Sequence, residues 1–182
     1  MFTTPSPISG LIVFEPRGFE VTRGYFFESY NQQRWEEAGV HIRFVQDNQA
    51  FSRRGALRGL HYQTGEMAQA KLVRVVSGEV LDVAVDIRPD SPTCGQWFSI
   101  LLSAENKRQL LVPRGFAHGY IVRSETAEFA YKCDNFYSKE HEGGIRFDDP
   151  TLHIDWQFDL QQAIVSEKDL ELPFFGAHQL PF

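Results

Sequence analysis

The densest chemistry in the chain lies in Leu57-Arg58-Gly59-Leu60-His61-Tyr62-Gln63. Imidazole titrates near neutral pH, so His61 has the chemistry of a general base. Taken alone, it reads first as a structural histidine with both ring nitrogens satisfied. Strict strand alternation would send Arg58 and His61 to opposite faces, and Gly59 between them is where a bulge could re-aim one of them. Lys71 opens Lys71-Leu72-Val73-Arg74-Val75-Val76 and shares a face with Val73 and Val75. Its ammonium is then aimed at an apolar interior, which is costly unless it meets an anion. The other reading has it snorkelling to water from the mouth of the strand. Tyr131 shares a face with Phe129 and Cys133 and points inward; by itself it is a core tyrosine with its hydroxyl satisfied. Tyr137 follows in the loop-like Asn135-Phe136-Tyr137-Ser138, where a ring could stack on a base or cover the core.

Pro113-Arg114-Gly115-Phe116-Ala117-His118-Gly119 is similar to the PxGxxH motif of cupins, which implies a double-stranded β-helix barrel. Metal-binding cupins add an HxH pair and a later Glu. Here the residue two after His61 is Gln63, so His118 lacks an obvious set of partners for a metal that needs about three clustered protein ligands. No metal and no other cofactor is expected.

These residues need a scaffold of short strands. Asn31 can cap a helix running through Ala38 and stopped by Gly39. Gly10–Phe14 reads as a first strand and Arg23–Tyr30 as a second. In Val80–Arg88, Leu81, Val83, Val85 and Ile87 form one apolar face while Asp82 and Asp86 sit on the other. Further strands read at Gln96–Ser103, Gln109–Pro113, Phe116–Arg123 and Ala127–Asn135, and a short helix after Ser166. Many short strands with turns between them, and sixteen Phe and three Trp among 182 residues, argue an all-β sandwich or barrel in a single domain over residues 1–182.

Formal net charge is -6, which disfavours nucleic acid as a partner. Between Arg53 and Arg74, however, five basic residues face one acid, Glu66. That local patch suits a small anion better than a polymer. No apolar run reaches the roughly 18 residues of a membrane span, and no secretory leader is visible. Cys94 and Cys133 form no CxxC pair and read as buried reduced thiols of a cytoplasmic protein.

Several segments in order resemble one family. They are Arg23-Gly24-Tyr25-Phe26-Phe27-Glu28-Ser29-Tyr30, Phe44-Val45-Gln46-Asp47-Asn48, Leu57-Arg58-Gly59-Leu60-His61, Lys71-Leu72-Val73-Arg74-Val75, Asp82–Arg88, Ser91-Pro92-Thr93, Gly115–Gly119 and Ser166-Glu167-Lys168-Asp169. From Leu11 to Asp169 the chain is similar to the dTDP-4-dehydrorhamnose 3,5-epimerases. The resemblance implies a cupin barrel working as a homodimer, with the N-terminal strand reaching into the partner's site. It places His61 at the catalytic base, Tyr131 at the proton donor and Asp169 at the carboxylate that orients the histidine. Lys71 and His118 match sugar contacts. Arg23, Glu28, Gln46, Asp47, Asn48, Arg58, Glu142 and Lys168 match nucleotide-sugar contacts, and Tyr137 matches the ring that stacks on thymine.

The implied substrate is a small dTDP-linked 4-keto sugar. Inverting its carbons 3 and 5 requires a proton removed alpha to the ketone and another returned on the opposite face, chemistry that suits these residue types. A related enzyme inverting only one of the two centres would share nearly every motif. A metal oxygenase of the cupin fold is disfavoured by Gln63. A non-catalytic sugar-binding cupin would have no use for His61, Tyr131 and Asp169 together.

Overall fold

The computed structural model describes residues 2–16 and 18–176. Strands dominate: β1 (Phe2–Pro5), β2 (Ile12–Glu15), β3 (Phe19–Val21), β4 (Gly24–Phe26), β5 (Gln46–Arg53), β6 (Ala56–Gln63), β7 (Lys71–Ser77), β8 (Glu79–Asp86), β9 (Trp97–Ser103), β10 (Gln109–Val112), β11 (Phe116–Val122), β12 (Thr126–Cys133), β13 (Glu142–Gly144) and β14 (Ile164–Val165). Two short helices, α1 (Gln32–Glu37) and α2 (Glu167–Leu170), complete the frame.

One sheet runs β1-β2-β10-β7-β12-β5 and the other β13-β6-β11-β8-β9, with β14 added in parallel against the start of β6. All the other pairings are antiparallel. The sheets face each other as the cupin-type double-stranded β-helix. Between them lies a core that includes Val73, Val75, Val80, Ala84, Tyr120 and Phe129.

Each sheet also buries its outer face. A second core of Leu81, Val83, Val85 and Ile87 packs under a C-terminal arm through Phe147, Leu152 and Trp156. The Trp156 indole N–H donates to the Phe147 carbonyl at 2.8 Å and Trp97 to that of Leu152 at 2.9 Å, so the buried Trp156 and the half-buried Trp97 leave no indole donor orphaned. On the opposite side, Phe14 and Trp35 stack at 3.7 Å between ring centroids and pin α1 onto the first sheet. This double coverage explains β8. The sequence puts Asp82 and Asp86 across from its apolar residues, yet both are 0% exposed. The polar face of β8 is the inside of the barrel, and the apolar face is the one under the arm.

Helix α1 starts as its sequence predicts: the Asn31 side chain accepts from the Arg34 N–H at 3.3 Å. Helix α2 follows Ser166, whose hydroxyl accepts from the Asp169 N–H at 3.2 Å. Arg23–Tyr30, however, is not one strand. Only Gly24–Phe26 pairs, in a hairpin with β3, because Tyr30 turns inward to pack edge-on against Phe44 at 5.5 Å. Of the two thiols, both free, Cys133 is buried and Cys94 only half-buried.

Candidate active site

β6 delivers the central residue. Between the paired positions His118–His61 and Tyr120–Arg58, Gly59 and Leu60 stand opposite Gly119 alone. This extra residue in β6 is a bulge, and it brings Arg58 and His61 to the same cavity rather than to opposite faces. Gly59 is required there. Its φ is +121°, and a Cβ would lie 2.6 Å from the Gly119 Cα.

The His61 Nε2 lies 2.7 Å from Asp169 Oδ1, and the other carboxylate oxygen accepts from the Gly59 N–H at 3.4 Å. Burial pushes the Asp169 carboxyl up, but its bonds to His61, Gly59 and Ser166 outweigh that and leave it below the usual carboxylate range. It is therefore an anion at neutral pH. With Nε2 engaged, the ring presents Nδ1 to a ligand.

β11 brings a second histidine alongside. His118 Nε2 lies 2.9 Å from Asp82 Oδ2, deep in the barrel. Asp82 carries no functional signal in the sequence, because its partnership with His118 depends on the register of two strands.

Lys71 and Tyr131 face this pair from the other sheet. The Lys71 ammonium sits 5.9 Å from the Tyr131 ring centroid. What exposure Lys71 has is toward the cavity, and burial lowers its pKa. The same cause pushes the Tyr131 phenol up to about 12, so it stays protonated.

These groups stand at the waist of a cleft with two chambers. The larger, about 500 Å³, is lined by Arg58, His61, Lys71, His118, Tyr131, Lys168 and Asp169 together with apolar side chains. The smaller, about 330 Å³, is lined by Gln46, Asn48, Gln63, Tyr137 and Glu142. His61, Lys71 and Tyr131 belong to both.

At the outer chamber, Glu142 accepts from the Tyr137 hydroxyl at 2.9 Å and from the Lys168 ammonium at 2.7 Å. Burial raises the Glu142 carboxyl, and these two bonds more than reverse the effect. Gln46 accepts from the Tyr137 N–H at 3.2 Å and donates to Asn48 at 3.1 Å. Gln63 straps the loop down. Its amide donates to the Met67 and Phe136 carbonyls, at 2.6 and 3.0 Å, and its oxygen accepts from the Ser138 N–H at 2.7 Å. The position that a metal cupin would use as a ligand is thus a structural clamp. Among the described residues, no group of three or more His, Cys, Asp or Glu side chains is placed to hold a metal ion.

Three residues singled out in the sequence lie away from the cleft in the single chain. Arg23 is exposed at the tip of the β3–β4 hairpin. Glu28 bonds Asn31 at 3.1 Å and pairs with Arg34 at 3.2 Å. Asp47 points out of the barrel, between the inward Gln46 and Asn48, and pairs with Lys132 at 2.8 Å.

A family model described as dTDP-4-dehydrorhamnose 3,5-epimerase matches residues 5–176. An enzyme of that name from Pseudomonas aeruginosa is 57% identical over 171 residues, covering 93% of each chain. The crystal structure of the one from Elizabethkingia anophelis superposes with a TM-score of 0.94 at 51% identity, covering 98% of each chain. The Legionella pneumophila dTDP-6-deoxy-D-glucose-3,5-epimerase, solved in complex with dTDP-4-keto-L-rhamnose, gives a TM-score of 0.91 at 48% identity and covers 95% of this chain and 92% of that one. With its cupin barrel and its two-chambered cleft, the chain belongs to the dTDP-4-dehydrorhamnose 3,5-epimerase family.

Proposed function

We propose that this isomerase takes dTDP-4-dehydro-6-deoxy-D-glucose and inverts carbons 3 and 5 to give dTDP-4-dehydro-L-rhamnose, serving dTDP-L-rhamnose biosynthesis. The observation that carries the reading is the convergence of a His–Asp dyad, a buried lysine and a protonated tyrosine at one waist.

His61 Nδ1 takes the proton from the carbon alpha to the ketone. The electron pair of the broken C–H bond moves to the carbonyl oxygen as an enolate, and the carboxylate of Asp169 supports the imidazolium. Lys71 holds the enolate oxygen; the negative charge restores the environment that burial denies its ammonium. Tyr131, on the opposite sheet, delivers a proton to the other face and inverts the centre. Solvent then reprotonates the tyrosine and takes the proton from His61. There is no net oxidation or reduction, so the reaction calls for no redox cofactor.

In the same reading, the sugar occupies the larger chamber with His118 and Arg58. The nucleotide lies toward the smaller one, with thymine on Tyr137 and with Gln46, Asn48, Glu142 and Lys168 around it, while Asp47, on the outer face of β5, acts from outside the cleft by holding Lys132. The whole chain acts as a single domain in a cytoplasmic homodimer. Arg23 and Glu28, which lie away from the cleft of their own chain, reach that of the partner. The exposed Tyr25 and Phe26 on the hairpin support this, since such apolar side chains favour a covered position.

Proton NMR of the substrate in deuterated buffer tests the reaction. Double inversion puts deuterium at both carbon 3 and carbon 5. Label at one carbon alone would mean a single-centre epimerase, and label at neither would rule out the proposed chemistry.

A further inference from the structure

One buried hydroxyl behind the wall of the larger chamber has no part in the steps above. Ser52 follows Ala50 on the inward face of β5 and is 5% exposed, between the exposed Phe51 and Arg53. Ala50 lines the chamber and Ser52 does not, so the serine stands in a second layer, out of a ligand's reach. Its hydroxyl accepts from the Arg58 Nε–H at 3.2 Å. A hydroxyl taken out of water costs stability unless it is bonded, and an alanine like that at position 50 would carry no such cost. The arginine depends on this bond. Its side chain lines the chamber and is exposed, and among the described residues Ser52 is the one hydrogen-bond or ion-pair partner of its guanidinium. A guanidinium anchored at Nε keeps the edge formed by its two terminal nitrogens free, a pair of parallel donors suited to oxygen acceptors.

We propose that Ser52 is a positioning residue for the substrate, fixing Arg58 so that this free edge meets oxygen atoms of the bound sugar nucleotide. Arginine has many rotamers, and a ligand that must order a loose one binds more weakly. The bond to Ser52 orders it in advance. Ser52 acts only through Arg58 and touches no substrate itself. The proposal rests on the reading of the larger chamber as part of the substrate site.

Calorimetric titration with dTDP-6-deoxyglucose, which lacks the ketone and does not react, tests it on the full chain and on Ser52→Ala, Arg58→Ala and the double variant. Ser52→Ala should bind about three- to tenfold more weakly than the parent, the equivalent of one net hydrogen bond. Arg58→Ala should bind more weakly still. Adding Ser52→Ala to Arg58→Ala should change nothing, because the serine then has no arginine to hold. A serine that merely supported the barrel would weaken binding by the same factor in both backgrounds, and that result would overturn the proposal. Binding by Ser52→Ala within about twofold of the parent would overturn it too. If Arg58→Ala bound the ligand as the parent does, Arg58 would not be a substrate contact and the proposal would fall, while the epimerase chemistry would still be judged by deuterium entry. If the parent bound dTDP-6-deoxyglucose no differently from dTDP, the reading of the chamber itself would fall, and the proposal with it.

Discussion

Asp169→Asn keeps the shape of the dyad and removes its charge. The carboxylate is 4% exposed and lies 2.7 Å from His61 Nε2, so water screens little of the interaction. When His61 accepts a proton it becomes a cation, and the bond to Asp169 becomes charge-assisted. Such a bond contributes about 1.5–3 kcal/mol, against about 0.5–1.5 for a neutral one, so losing the charge costs about tenfold in rate. The amide adds a second penalty. Asp169 offers one oxygen to His61 and the other to the Gly59 N–H. Asparagine has one oxygen for two donors. Facing Gly59 with it turns the NH2 toward His61 and moves the ring proton onto Nδ1, the atom that must be bare. Facing His61 sets the NH2 against the Gly59 N–H. Either arrangement forfeits about one more hydrogen bond, on the order of another tenfold. The expected fall in kcat is therefore about 100-fold overall. His61→Asn, which removes the base itself, should fall further within the roughly 10²–10⁴-fold range of general-base catalysis. Initial rates of deuterium entry at carbons 3 and 5, measured on both variants after melting curves show that they are folded, decide the matter. Asp169→Asn exchange within about threefold of the parent across the pH range would refute the dyad, since it falls far short of the general-base contribution.

Tyr131→Phe should still exchange deuterium into the starting sugar, because His61 and Lys71 remain, while inverted product falls by about 10²-fold or more; loss of exchange with binding intact would contradict the assignment. Lys71→Met should lose turnover yet melt higher than the parent at neutral pH. Burial lowers the Lys71 pKa in the folded state, so the unfolded chain binds more protons between that value and the ordinary 10.5. Parent stability from this group should therefore rise with pH over that window, and the advantage of Lys71→Met should shrink toward zero as the pH approaches 10.5. An advantage independent of pH would point to packing instead. Mixing Arg23→Ala chains with His61→Asn chains should restore partial activity through heterodimers with one repaired site, and no recovery after verified subunit exchange would mean that each site is built from one chain.

The parts of this molecule that were legible in the sequence are those set by local periodicity. Strands β8 to β12 and α1 lie within a residue or two of their expected positions, because alternation, the Asn31 cap and the Gly39 stop act over a few residues. The inward direction of Lys71 and Tyr131 follows from the same alternation. Gly59 as a bulge site was readable because Arg58 and His61 needed one to share a cavity. Alternation also held a signal about Asp47, which cannot face the same way as Gln46 and Asn48. The His118–Asp82 pair was not legible, since it depends on which strands become neighbours and in what register. Nor was the role of the C-terminal arm. Its residues 145–165 carry little periodicity and take their conformation from the apolar sheet beneath them.

The Gln63 clamp has a consequence for how the enzyme would treat truncated substrates. Gln63 is two residues from His61 on one strand, and two of its three bonds, to Phe136 and Ser138, tie that strand to the loop carrying Tyr137. On the proposed reading, the thymine-binding ring and the base are thereby held as one rigid gauge of fixed length. A free keto sugar, lacking the nucleotide, would enter the inner chamber with nothing to register its carbons against His61 Nδ1. The deficit should appear in kcat as well as in KM, because contacts at the far end of the substrate would act by aligning the C–H bond as well as by holding the molecule in place.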